Sequence, residues 1–148
     1  MIVAEWFTGD TQLADVHAIR RAVFMEEQGV SEAEEMDGTD AEAIHLLIRD
    51  DGVPVGTGRI IIIDNKFYSG RIAVLKDCRN KGYGDFLCRL LIRRCFELGG
   101  ETQYIHSQTH AVGFYEKLGF TVTSEEYMEA DIPHVNMERH GDITGRCG

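Results

Sequence analysis

Six consecutive residues, Arg79-Asn80-Lys81-Gly82-Tyr83-Gly84, combine two cations with two glycines. They lie between a strand-like run and the clearest helical pattern of the chain. A helix N-terminus presents unpaired backbone N–H groups and a partial positive charge. Glycines let an anion approach that backbone closely, and Arg79 and Lys81 add full charges. The arrangement suits a pyrophosphate. Two familiar phosphate loops are excluded. A Walker A loop needs Lys-Ser/Thr after its glycine, and Tyr83 follows Gly82. A dinucleotide fingerprint needs a glycine three residues after Gly84, where Leu87 stands. An ordinary glycine-rich turn into a helix fits the same residues, so the turn alone names no ligand.

The charge pattern points the same way. The 148-residue chain carries a net charge of −10, which disfavours a general nucleic-acid or anionic-membrane binder. Yet Arg71 to Arg94 holds seven bases and two acids, or +5. A basic segment in an acidic protein marks a local polyanion site, or a solvated helix face. A second block has the opposite sign: Glu26 to Glu42 holds eight acids and no Lys or Arg. It reads as a solvated helix end and loop, or as a rim that attracts a cationic amine.

Other chemistries are weaker. Cys78, Cys88, Cys95 and Cys147 lack C-x-x-C spacing, so free thiols are expected and no metal site is read. Cys88 and Cys95 look like packing residues of one helix. No apolar run approaches the ~18 residues that cross a bilayer, and Met1 to Phe7 carries no secretory pattern. The expected address is the cytoplasm, with no membrane or nucleic-acid partner.

The elements that must position these residues are set by periodicity. Ile2 to Phe7 reads as a strand. Leu13, Val16, Ile19, Val23 and Phe24 recur at helical spacing, which predicts a helix over 11–27. The acidic stretch reads as a loop with a short helix near Ser31 to Met36. Ala43–Arg49, Val53–Asp64 and Phe67–Leu75 predict a three-stranded meander, with turns at Asp51-Gly52 and Asn65-Lys66. Gly82 to Leu98 is a helix with Leu87, Leu90, Leu91, Cys95 and Leu98 on one face, stopped by Gly99-Gly100. Thr102–Ser107 is a strand. Thr109 can cap a helix to Leu118, with Gly119 as its stop. Phe120–Tyr127 and His134–Arg139 are the last strands. The expected fold class is mixed α/β: one domain over residues 1–140, then a loose tail over 141–148.

Phe114-Tyr115-Glu116-Lys117-Leu118-Gly119-Phe120 comes after the Thr102–Ser107 strand. Together with Arg79-x-x-Gly82-x-Gly84 it resembles the GNAT superfamily of acyl-CoA-dependent N-acetyltransferases. The resemblance runs through nearly the whole chain. Arg20-Arg21-Ala22-Val23-Phe24, Glu26-Glu27-Gln28 and Ile132-Pro133-His134 resemble its ElaA/YjcF subgroup.

The resemblance implies a splayed, mostly antiparallel mixed sheet flanked by helices, with acetyl-CoA (coenzyme A) as cosubstrate and no metal. The pantetheine arm would pair with the backbone of Ile72, Ala73 and Val74. The pyrophosphate would rest on Arg79, Asn80, Lys81, Gly82, Tyr83 and Gly84. Tyr115 takes the position of the family's usual general acid, since a phenol with an ordinary pKa near ~10 can donate to a departing thiolate. His134 matches a histidine that looks like the base in relatives resembling glyphosate N-acetyltransferase. His110, His45 and a water relay through Glu27 remain open as alternatives. Arg20 and Arg71 match positions that bind an anionic substrate in those relatives, and His110 can face substrate. A third basic position there is Gln108 here, which argues against a phosphonate-like acceptor. The expected partner is a small-molecule amine, and a homodimer is compatible with this reading. Protein or peptide N-acetylation and a non-catalytic acyl-CoA sensor are the rival functions.

Overall fold

The computed structural model describes residues 1–143. Eight strands form one sheet in the order β1-β2-β3-β4-β5-β8-β6, with β7 paired to β8. They are β1 (Ile2–Thr8), β2 (Ile44–Asp50), β3 (Val53–Ile63), β4 (Lys66–Val74), β5 (Thr102–Gln108), β6 (Thr121–Val122), β7 (Tyr127–Glu129) and β8 (Ile132–His140). Every pairing is antiparallel except β4 with β5. The β2–β3–β4 meander forms as the sequence predicts. Its turns sit at Asp51-Gly52 and at Asp64-Asn65, all with positive φ; the second lies one residue earlier than expected.

The helix α3 (Tyr83–Glu97) packs on β3 and β4. Leu87, Cys88, Leu91, Ile92 and Cys95 are buried, whereas Leu98, expected on this face, lies just past the helix and is 41% exposed. Two glycines of β3 let the helix sit close. A Cβ at Gly56 would come within 2.8 Å of Leu87 Cδ1, and one at Gly58 within 2.8 Å of Leu91 Cδ1.

On the opposite face, α1 (Ala14–Arg20) buries Val16 and Ile19 against β3 and β4. The predicted helix over 11–27 is corrected in two ways. It begins at Ala14, because Gln12 has φ +62°. It also widens into a π-helical segment, Arg21–Glu27, closed by Gln28 N–H donating to Val23 O at 3.1 Å. Such wide turns recur at functional sites. The short α2 (Glu32–Glu35) is capped by the Ser31 hydroxyl, which accepts from Glu34 N–H.

Three other expectations need correction. The strand predicted over 120–127 is two short pieces, β6 and β7, joined by an irregular turn. The helix expected from Thr109 begins as a 3₁₀ turn, Thr109–Ala111, and continues as α4 (Val112–Glu116), with no side-chain cap. The helix ends at Glu116, two residues before the expected Leu118, and Gly119 follows the closing turn with φ +97°, as a left-handed stop should. The loose tail does not start at 141. Gly141 N–H donates to Glu101 O at 2.6 Å, and Ile143 packs on the core. Residues 144–148 of that expected tail lie outside the described residues.

Candidate active site

The sheet opens between β4 and β5. Their parallel pairing covers only Phe67, Tyr68 and Ser69 of β4 against Gln103, Tyr104 and Ile105. Beyond that point β4 carries a bulge where its register with β3 shifts, and Arg71 has φ +47°. A bulge turns a strand away from its neighbour. The β5-facing edge of Ile72 to Val74 thereby pairs with no strand, and a cleft of about 1670 Å³ lies between the diverging strands.

The glycine-rich turn closes one end of this cleft. Asn80 and Gly82 have φ of +64° and +85°, so the chain swings directly into α3. The first helical bond runs from Phe86 N–H to Gly82 O at 3.1 Å, which leaves the preceding amides without an intrahelical acceptor. Asn80, Gly82, Tyr83 and Gly84 all line the cleft. The Tyr83 side chain turns away: its hydroxyl donates to Asp50, and that carboxylate, with burial, pushes the phenol up to about 12. Only the backbone of Tyr83 is in a place to meet an anion. Arg79 also departs from the expected free cation. Its Nη1 and Nη2 donate to Glu27 at 2.5 and 2.6 Å, and its Nε donates to Val74 O at 3.1 Å.

Tyr115, on α4, lines the cleft. Its ring meets Phe114 and Phe120 edge-on, with centroids 5.2 and 5.9 Å away. Burial, with a small contribution from Cys88, pushes the phenol upward, so it stays protonated. Its hydroxyl makes no hydrogen bond to another described residue, which leaves the proton free for a guest.

His134 lies on β8 opposite Gln108 of β5 and also lines the cleft. Its Nδ1 is 2.7 Å from Ile132 O. A carbonyl only accepts, so Nδ1 carries the proton and the neutral ring has Nε2 as its lone-pair nitrogen. Nε2 is 3.5 Å from a Glu129 oxygen, while the other Glu129 oxygen is 3.8 Å from His106 Nδ1. His110 is exposed and donates from Nε2 to Gln108 Oε1 at 2.6 Å; Gln108 in turn donates to Gln28 at 2.8 Å.

The two arginines expected to bind substrate do other work. Arg20 is 1% exposed and does not line the cleft. It donates to Glu35 Oε1 at 2.5 Å, Asp40 Oδ1 at 2.9 Å and Glu35 O at 3.2 Å. The Arg20 guanidinium is thus held in a buried network with Glu35 and Asp40, away from the cleft. Arg71 lines the cleft, but its Nη2 donates to Glu34 O and Glu35 O, both at 3.0 Å, and to Asp37 at 3.3 Å. Arg59 completes this network with Asp37 and Asp40. His45 is a buried strand residue bonded to Asp40 O, and burial lowers its pKa.

Sequence reasoning missed Tyr68, His106 and Glu129. The alternation Tyr104-x-His106-x-Gln108 puts His106 on the open face of β5, a signal present in the sequence. Glu129 gave none, because its strand was read as ending at Tyr127.

Comparison with known proteins places this geometry. A model described as "Acetyltransferase (GNAT) domain" matches residues 11–140. The uncharacterized N-acetyltransferase YjcF of Bacillus subtilis is 37% identical over 129 residues, covering 86% of this chain and 92% of the relative. The crystal structure of Escherichia coli ElaA superposes with a TM-score of 0.85 at 27% identity, over 95% of this chain and all of that one. At the level of fold, a GNAT acetyltransferase from Elizabethkingia anophelis, solved with acetyl-CoA bound, matches with a TM-score of 0.74 at 16% identity, over 94% and 97% of the two chains. The chain belongs to the GNAT family of acetyltransferases, in its ElaA/YjcF-like subgroup.

Proposed function

We propose that the protein transfers the acetyl group of acetyl-CoA to the primary amine of a small molecule, by direct attack in a ternary complex. The carrying observation is the β4–β5 splay, which joins an unpaired strand edge, a helix N-terminus and an unengaged tyrosine hydroxyl in one cleft. The residues fit acetyl-CoA. The edge at Ile72–Val74, which no strand pairs and where only Val74 O is taken, by Arg79 Nε, offers amide-type hydrogen bonding to a pantetheine arm. The turn from Arg79 to Gly84 offers backbone N–H groups and the Lys81 charge to a pyrophosphate. GNAT relatives supply the precedent for this cosubstrate.

The chain's own groups then divide the proton transfers. His134 Nε2 accepts a proton from the ammonium, directly or through water. The amine nitrogen forms a bond to the thioester carbonyl carbon, the C–S bond breaks, Tyr115 donates its phenolic proton to the sulfur, and the surplus proton on the new amide nitrogen restores the Tyr115 phenol, directly or through water. A cytoplasmic setting accords with the unpaired thiols of Cys78, Cys88 and Cys95. The test is a thiol-release assay with acetyl-CoA across small amines and peptides. Thiol release that requires a small amine supports the reading; peptide-only turnover, or binding without turnover, overturns it.

A further inference from the structure

The acceptor end of the cleft has a distinct chemistry, whose assignment rests on the transferase reading above. The helix α1 covers β2, β3 and part of β4. Past it lies a run of rings, of which Tyr68, His106 and His134 line the cleft. Tyr68 of β4 lies 5.3 Å from Tyr104 and 5.8 Å from His106, His106 lies 6.3 Å from Tyr127, and Tyr127 stacks on His134 at 6.1 Å. Asn136 accepts from the Tyr127 hydroxyl at 2.6 Å, which fixes that ring. Ile61 and Ile63 of β3 extend the floor with apolar surface.

Glu129 stands over this floor between the two imidazoles. It is held there by a tight turn in which Ala130 and Asp131 have φ of +51° and +59°, an uncommon conformation for alanine. The His106 ring and then His134 hold its carboxyl below the usual range, so the carboxylate is charged at neutral pH. Arg71 also acts on it through space, and Lys66 Nζ stands 5.5 Å over the Tyr104 ring. Arg20 is buried, and Arg71 is committed to α2 and Asp37. Glu34 on the facing rim adds a carboxylate, whereas Glu35 and Asp37 there are paired with Arg20, Arg59 and Arg71.

We infer that Tyr68, His106 and Glu129, with Tyr127 supporting the His134 ring behind them, form the acceptor subsite, and that it takes a cationic amine bearing an aromatic or apolar group rather than an anionic or zwitterionic acceptor. Ring faces attract an ammonium and bury the group attached to it. The Glu129 carboxylate pairs with the ammonium and, once the proton has moved, with protonated His134. It is a specificity residue, and Tyr68 sets the preference for an apolar substituent.

The experiment compares 2-phenylethylamine, n-propylamine and phenylalanine as acceptors, with acetyl-CoA binding measured separately by calorimetry. The expected kcat/KM for 2-phenylethylamine exceeds the other two by about tenfold or more, as desolvated cation–ring contacts allow. Glu129→Gln should lower it about tenfold through KM, with acetyl-CoA affinity unchanged, and Tyr68→Ala should erase the preference over n-propylamine. Preference for phenylalanine, equal rates in Glu129→Gln, or acetyl-CoA binding with no turnover of any of the three overturns the subsite and leaves the cofactor reading standing. Failure to bind acetyl-CoA at all overturns the cofactor reading first.

Discussion

Arg79 and Glu27 face each other through two nearly parallel hydrogen bonds of 2.5 and 2.6 Å, one from each terminal guanidinium nitrogen. This bidentate pair joins the end of the π-helical segment to the turn before α3. The carboxylate occupies the guanidinium that a pyrophosphate would otherwise engage, and the guanidinium holds the Glu27 carboxyl below its ordinary range. Glu27 is thus an internal anion at the proposed phosphate turn, and its pairing argues against service as a free base.

Glu27→Ala should tighten coenzyme A binding. The pair is about one-third exposed on each side, so its worth is that of a surface ion pair, at most ~1 kcal/mol. The expected gain is roughly twofold to fivefold in Kd by calorimetry. Arg79→Ala should weaken binding by ~1.5–3 kcal/mol. A Glu27→Ala variant that binds more weakly would show that the pair shapes the turn instead of competing for it.

Tyr115→Phe removes only the hydroxyl and keeps the ring packed between Phe114 and Phe120. Acetyl-CoA affinity should be unchanged, while kcat falls by ~10²-fold, the low end for general acid catalysis. Single-turnover thiol release checks this directly, since it isolates chemistry from product release. A full rate there would reduce Tyr115 to packing.

For His134, the comparison is the pH profile of kcat/KM in wild type and His134→Ala on one amine. The wild-type profile should rise toward alkaline pH. The variant should lose the limb that His134 contributes and retain only the one due to the amine's own ionisation. An unchanged limb and rate would move the base elsewhere, with His110 the next to test.

Acid should unfold the protein through the network beneath α1. Burial alone would raise the Asp40 carboxyl, but its bond from Arg20, aided by His17 and Arg59, holds it at about 2. A folded value below the unfolded one means stability present above about pH 4 and lost as pH falls toward 2. The contribution is about 2 kcal/mol. His45, whose pKa is lowered by burial, acts in the same direction: the fold favours its neutral form, so stability declines as pH drops below ~6.5. Melting temperatures should fall below pH 6.5 and more steeply below 4. Asp40→Asn should start lower and lose part of the steep limb; a parallel curve would assign that limb to Asp37 or other carboxylates.

The elements that could be read from the sequence are those with strong local signals. The α3 stripe, the Asp51-Gly52 hairpin and the Arg79–Gly84 turn each declare themselves through periodicity or glycine placement. The bulge at Arg71 does not, because an arginine at positive φ has no sequence mark. The burial of Arg20 is unmarked for a related reason. A cation near a motif looks available until three-dimensional structure brings Glu35 and Asp40 against it. Glu129 was hidden because β7 is three residues long, too short for alternation to show. Local chemistry is legible along the chain, whereas pairing between distant charges is not.

The contact of α3 with Gly56 and Gly58 has a consequence for how such a protein can change over generations. The amides proposed to hold the pyrophosphate ride on a helix whose height is set from one face of the sheet, by two missing methyl groups. The rings and carboxylate of the acceptor end hang from β4, β5 and the β7–β8 turn. Substitutions at Tyr68, His106 or Glu129 can therefore drift without lifting α3, and a new acceptor can be explored while the donor half stays in register. A methyl at Gly56 has no such freedom, since it meets Leu87 and, at 3.2 Å, the Ala73 carbonyl of the strand that lines the cleft.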